Sequence, residues 1–329
     1  MNSSSPKVSI GLPVYNGERY LPLALDSLLA QDFTDFEIIL CDNTSQDRSE
    51  EICRTYADRD SRIRYYRNEK NIGAAPNYNR VLELARANYF KWMAHDDVCL
   101  SGFLRRCVET MDLAPPAVVL VYPFCDLIDG NGKILEQAPD RLETRAKRPF
   151  RRLGRVLREV GYAYPLWGLI RTASLRRTRL MGHILADHVL LAELAIQGQF
   201  REIAETQFQL RMHEGNAWAI CSKEQGNEAW LENARASRQS RRAMMVWHDP
   251  SLAGKAMWLP FREEVYLQFL KGVAHASLPP IEKLLCFLTV LAVCYWRRFR
   301  NFVSTWKRRV LRRASKSGSV TKENAAGFE

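Results

Sequence analysis

The residues most suited to chemistry in this 329-residue chain are His95-Asp96-Asp97, which follow the apolar run Phe90-Lys91-Trp92-Met93. Two neighbouring carboxylates at the end of a strand repel each other unless a cation or hydrogen-bond donors offset the repulsion. A divalent cation, held by carboxylate and by substrate phosphate oxygens, is the usual solution for diphosphate substrates. The chain has no G-x-G-x-x-G or G-x-x-x-x-G-K-[ST] loop that would present backbone amides to phosphate instead. The plainer alternative is that Asp96 and Asp97 cap a helix beginning near Leu100.

The elements that must position these residues alternate between strand and helix. Val8–Val14, Phe36–Cys41, Arg62–Tyr66, Tyr89–Ala94 and Ala117–Ile128 read as strands. Helical spacing occupies Tyr20–Gln31, a segment through Ile52 and Tyr56, Ala75–Arg86 and Leu100–Leu113. Thr44 and Asp47 form a plausible capping box for the second of these helices. This order predicts an α/β fold with a mainly parallel sheet and right-handed crossovers, whose ligands bind beyond the carboxyl ends of the strands. The post-strand residues are then Pro13-Val14-Tyr15-Asn16, Asp42-Asn43 and His95-Asp96-Asp97. Further along, Tyr164–Arg171, Phe200–Ala204 and Phe208–Met212 read as strands and Asp187–Gln197 as an amphipathic helix, while residues 138–158 are basic and carry no clear pattern. Long helical patterns follow Gly215, placing a boundary near residues 214–222 between a catalytic domain (1–215) and a helical C-terminal region (216–329).

Four segments in order carry a family resemblance. Val8-Ser9-Ile10-Gly11-Leu12-Pro13-Val14-Tyr15-Asn16-Gly17-Glu18 resembles the opening of family-2 glycosyltransferases, and Phe36–Asp47 resembles their second strand and acidic turn. Asn71-Ile72-Gly73 with Asn77, and then His95-Asp96-Asp97, continue the match, which covers roughly residues 7–215. The resemblance implies a GT-A fold. It also implies a nucleoside pocket lined by Pro13, Tyr15 and Glu18, with Asn71 on the donor side and Asp42 accepting hydrogen bonds from the base. It gives Asp96 to the donor's ribose or sugar and Asp97 to Mg²⁺ or Mn²⁺ bridging both phosphates. Asp187 resembles the family's downstream catalytic acid, although it would equally suit the start of its helix as a cap. Arg211-Met212-His213 resembles a closing Arg-x-His element whose His completes the metal shell or touches the diphosphate. Two positions depart from the pattern: Asn43-Thr44 replace Asp-Gly in the second turn, and His95 replaces an acid.

The resemblance thus implies metal-assisted, inverting transfer of a sugar from a nucleotide-diphosphate donor to a saccharide or lipid-linked hydroxyl. Glycoside hydrolysis would instead need a carboxylate pair flanking the bond, to protonate a poor leaving group. A sugar-phosphate nucleotidyltransferase would need a Gly-rich basic loop where Pro13–Gly17 stands; a non-catalytic scaffold that binds sugar nucleotide or membrane is the other alternative.

The formal net charge is +11, and its distribution is uneven. Nine Lys or Arg residues and no acid lie between Arg297 and Lys316, and Glu143 is the only acid between Arg141 and Arg158. The run Leu284–Trp296 is apolar except for Thr289 and spans only about 20 Å as a helix, short of the roughly 30 Å bilayer core. With Arg297-Arg298-Phe299-Arg300 beside it, this predicts peripheral contact with an anionic membrane rather than a span or nucleic-acid binding. The eight cysteines show no metal spacing, and no secretory signal opens the chain. A cytoplasmic position at the inner membrane face is therefore expected.

Overall fold

The computed structural model describes residues 5–182, 185–214, 253 and 261–296. Its sheet grows from the most apolar segments. β1 (Val8–Val14), β2 (Phe36–Asp42) and β4 (Tyr89–Trp92) are buried along their whole length, as strands covered by helices on both faces must be. α1 (Leu21–Leu29), α2 (Ser49–Arg59), β3 (Ile63–Arg67) and α3 (Ala74–Glu83) connect them. The four strands run parallel in the order β3-β2-β1-β4. α3 lies directly on β1 at Gly11, where a Cβ would come within 2.5 Å of Val81 Cγ2.

The second half contains β5 (Val98–Cys99), α4 (Phe103–Leu113), β6 (Val118–Ile128), β7 (Ile134–Gln137) and α5 (Pro149–Glu159). A 3-10 turn (Tyr164–Trp167), β8 (Leu169–Arg171), α6 (Thr172–Leu175), α7 (Ala186–Gln197) and β9 (Gln199–Arg211) follow. These strands extend the sheet as β4-β8-β6-β9-β5, with β7 paired to β6. Here β8 is antiparallel to both neighbours, β6 is parallel to β9, and β5 returns antiparallel. The sheet is therefore mixed, with its parallel half holding the first three post-strand segments.

Several local expectations change. Half of the expected strand Tyr164–Arg171 is the 3-10 turn, and the two short strands after Phe200 are one strand, β9, with register shifts against Pro123–Cys125. The cap of α2 comes from Asp47, whose Oδ1 accepts the Ser49 amide; Thr44 instead donates to Asn68 O from a left-handed backbone (φ 63°). α7 is a core helix rather than an amphipathic one. Leu190, Leu191 and Leu194 face the sheet core, while Val189, Ala192 and Ile196 join a second core. That second core contains Leu153 and Leu157 of α5, Val265, Phe269 and Val273 of α8 (Phe261–His275), and Cys286, Val290 and Val293 of α9 (residues 280–296). The C-terminal helices thus pack on the catalytic fold through α5 and α7. The boundary expected near 214–222 lies outside the described residues.

Candidate active site

The acid pair sits in the turn between β4 and β5, and the last residues of β9 clamp it. Arg211 donates its backbone N–H to Asp97 Oδ1 (2.9 Å), its Nε to Asp96 O (2.8 Å) and Nη1 to Asp129 O (3.1 Å). Two residues later, His213 Nε2 lies 2.9 Å from Asp96 Oδ2. The two carboxylates therefore differ sharply. Burial pushes Asp96 up, but the His213 hydrogen bond and the positive potential of His95 and His213 outweigh it, holding its carboxyl below the usual range. Asp97 is 1% exposed, and burial together with the charge of Asp96 pushes it well above that range. Its Oδ2 is buried and has no hydrogen-bond partner among the described residues.

Asp97 and His213 were expected to share a cation, but His213 contacts Asp96. Asp97 is held by the Arg211 amide, near the buried Lys91, whose Nζ reaches Trp167 O and lies over the Phe103 and Phe208 rings. Asp96 and His213 offer one oxygen and one nitrogen donor, and the orphaned Asp97 Oδ2 is a further oxygen close by in sequence. No three His, Cys, Asp or Glu side chains form a complete metal cluster among the described residues. The donor set fits a partial shell that substrate phosphate oxygens would complete.

The loop after β1 forms the facing wall. Asn16 takes a left-handed conformation (φ 50°), and its amide and Oδ1 bind Ser45 Oγ and the Gln46 amide. Gly17 lies under His95: a Cβ there would come within 2.6 Å of His95 Cδ2. His95 and His213 line a cavity of about 560 Å³ together with Asn16, Gly17, Arg19 and Tyr20, a volume in the range of small-ligand sites. The Tyr20 ring is packed by His213 (4.8 Å), Arg211 (4.7 Å) and Arg19 (4.9 Å).

The other expected donor residues lie around this wall and do not line the cavity. Pro13 is buried in β1 beside Cys41, and Tyr15 follows β1 half-buried. Glu18 is exposed and accepts the Arg48 amide. Asp42 is fully buried, its oxygens taken by the Ser45 amide and hydroxyl, Tyr65 and Arg67. Asn71 belongs to an amide ladder: Asn43 Nδ2 donates to Asn71 Oδ1 and Gly73 O, and Asn43 Oδ1 accepts from Asn68 and the Ile72 amide. Asn68 in turn donates to Asn77 Oδ1, and Asn77 to Cys41 O.

Asp187 lies in the first turn of α7, behind Leu185 at the cap position. Its Oδ1 accepts the His188 amide at 2.8 Å and stands 3.0 Å from His188 Nδ1, while His188 Nε2 stands 3.0 Å from Gly161 O. Tyr78 links the two acidic centres. Burial raises its hydroxyl first, and the charges of Asp96, Asp97 and Asp187 raise it further, so all three carboxylates act on one phenol. Its ring packs on Trp92 (6.4 Å) and Trp167 (6.0 Å). Tyr78 and Lys91 were not singled out from sequence, and Arg211 was noted only as part of the closing Arg-x-His element. The one available signal was a Lys within an otherwise apolar strand.

A mixed sheet flanked by helices, with an acid pair beyond the carboxyl end of β4, is the arrangement of the GT-A type of glycosyltransferase fold. The glycosyl transferase family 2 model matches residues 9–179, and the chain belongs to that family. An uncharacterized glycosyltransferase of Rickettsia typhi is 34% identical over 128 residues, spanning 39% of either chain. One from Methanocaldococcus jannaschii is 32% identical over 134 residues, 40% of this chain and 46% of its own. The chain therefore aligns with less than half the length of these relatives. Staphylococcus aureus TarS (residues 1–349), solved in complex with UDP-GlcNAc, superposes with a TM-score of 0.52 at 15% identity, over 89% of this chain and 91% of that one. Its complex with UDP gives 0.51.

Proposed function

We propose that this chain transfers a sugar from a nucleotide-diphosphate donor to a hydroxyl of a saccharide or lipid-linked acceptor, inverting the anomeric configuration. The observation that supports this reading is that Asp96, Asp97 and Asp187 all act on one buried phenol, Tyr78, which puts the acid pair and the proposed base in one neighbourhood. The S. aureus homologue's complex with UDP-GlcNAc supports a nucleotide-sugar donor. On this reading Pro13, Tyr15, Glu18 and Asn71 act on the donor from the wall around the cavity rather than from its lining, and Asp42, its oxygens already taken, fixes the turn beside them.

In the reaction, Asp187 takes the proton of the acceptor hydroxyl as its oxygen attacks the anomeric carbon, and the nucleotide diphosphate leaves from the opposite face. A single displacement of this kind inverts the centre. Mg²⁺ or Mn²⁺, held on Asp96 and His213 with Asp97 beside them, would neutralise charge on the departing diphosphate. Arg211 keeps the acid pair in register throughout. Peripheral contact with an anionic membrane at the cytoplasmic face belongs to the same reading, since a lipid-linked acceptor would be delivered there.

Equilibrium binding and slow hydrolysis of UDP-, GDP- and dTDP-sugars, with and without EDTA, test the reading. Donor binding that depends on divalent cation is expected; indifference of every donor to EDTA would remove the cation from the account. A scaffold protein would bind donor without turnover, whatever stands at position 187.

A further inference from the structure

α9 has two apolar faces, and the described residues pack on only one. Cys286, Val290 and Val293 are at most 8% exposed and pack on α5, α7 and α8. On the other side, Ile281 (59%), Leu284 (52%), Leu288 (51%), Leu291 (53%) and Tyr295 (74%) stand exposed. At about 100° per residue these five fall within an arc of about 80°, centred roughly opposite the buried face. A ridge of five large apolar side chains is more than the isolated exposed residues that any protein surface carries.

The partner is indicated by what lies beside the ridge. α5 runs alongside α9 in the same direction: Arg148 pairs with Glu282 (2.6 Å), and one turn and a half later a Cβ on Gly154 would come within 3.1 Å of Thr289 Cγ2. The fold thereby places the basic segment around α5 next to the apolar helix, two features far apart in sequence. Arg145, Lys147, Arg148, Arg151 and Arg158 are exposed there. The nine Lys and Arg residues between Arg297 and Lys316 follow α9 directly in the chain. A second copy docking about a two-fold axis would set this basic margin against itself, which costs energy. An anionic lipid surface satisfies both the ridge and the margin. Among the described residues no helix is long and apolar enough to cross a membrane; those of α9 reach about 25 Å, and its inner face is committed to protein.

We propose that the outer face of α9, with the exposed arginines of α5, is a docking surface for anionic lipid, on which α9 lies in the plane of the interface. This rests on the membrane contact proposed above and not on the donor chemistry. The ridge specifies depth and orientation, and the arginines supply selectivity for negative headgroups.

Flotation of the full chain with vesicles of phosphatidylcholine alone, or of phosphatidylcholine and phosphatidylglycerol at 3:1, tests it. Binding to the anionic vesicles only is expected. Leu284→Glu/Leu288→Glu/Leu291→Glu, at exposed positions, should lower that binding at least tenfold while melting temperature and donor binding stay unchanged. Arg151→Glu/Arg158→Glu should lower it several-fold at low salt and less at high salt. Absence of vesicle binding by the unaltered chain overturns the membrane contact itself. Undiminished binding by the triple variant overturns this surface and leaves the contact to the basic tail. If light scattering shows a dimer that the triple variant dissociates, with vesicle binding intact, the ridge belongs to a second copy.

Discussion

His188 Nδ1 stands 3.0 Å from Asp187 Oδ1, while its other ring nitrogen faces the carbonyl of Gly161. A carbonyl can only accept, so Nε2 carries a hydrogen; the Nδ1 contact is a hydrogen bond only with one proton between ring and carboxylate. His188 thereby fixes the orientation of the proposed base. Asp187→Asn should keep donor affinity and lower kcat by about 10²–10⁴-fold, the usual worth of a general base. His188→Leu should lower kcat by about 10–100-fold at unchanged donor affinity, the cost of misorientation. Equal losses in donor Kd for either variant would refute the assignment.

The divided acid pair gives a pH signature. Asp97 is raised in the folded chain by burial and by Asp96, so the unfolded chain gives up this proton first. The contribution of Asp97 to stability is therefore fully present below the ordinary carboxylate value of 3.8 and is lost as pH rises toward the raised folded value. Asp97→Asn, which can still accept the Arg211 amide, should melt higher than the parent at pH 7 in EDTA. The difference should vanish near pH 3, and thermal scans across that range decide it. The same variant should lose cation-dependent donor binding.

Asn43 stands where the family more often has Asp, and its amide makes that choice consequential. Nδ2 donates to Asn71 Oδ1 and Gly73 O inside a buried network. Asn43→Asp would set a carboxylate oxygen against two acceptors. A loss of about 2–3 kcal/mol in urea unfolding is expected from the stranded groups. A loss below about 0.5 kcal/mol would show that the ladder rearranges freely.

Gly17→Ala tests His95. The added Cβ meets Cδ2, Cγ and Cβ of the histidine between 2.6 and 3.4 Å, so the whole ring must move. Donor affinity should fall about tenfold or more with little change in melting temperature if His95 holds the cavity wall. His95→Ala in the Gly17→Ala background should then add little, since close neighbours are non-additive.

The parallel half of the sheet was legible because strands buried on both faces are written as apolar runs, as in Val8–Val14 and Phe36–Asp42. The second half was not. β8 is three residues long, and β9 is a half-covered strand whose Ala204 and Glu205 are exposed, which broke one element into two short ones. At the site, motifs of consecutive residues located the acid pair and the Asn16 loop. The resemblance divided the pair, but which member His213 and the Arg211 amide contact was hidden, because these residues lie 117 and 114 residues further on. The Asp187 helix looked amphipathic because its leucines were counted on one face, whereas the C-terminal helices cover the other.

That long separation bears on how the protein comes into being. At the usual pace of translation, Arg211 is added roughly 6–23 s after Asp97, so a nascent chain has its acid pair well before the clamp that orients it. Asp187 emerges in between. On the proposed mechanism the clamp forms only in chains that already carry Asp187, and a premature stop before residue 211 removes the Arg211 contacts that hold the acid pair.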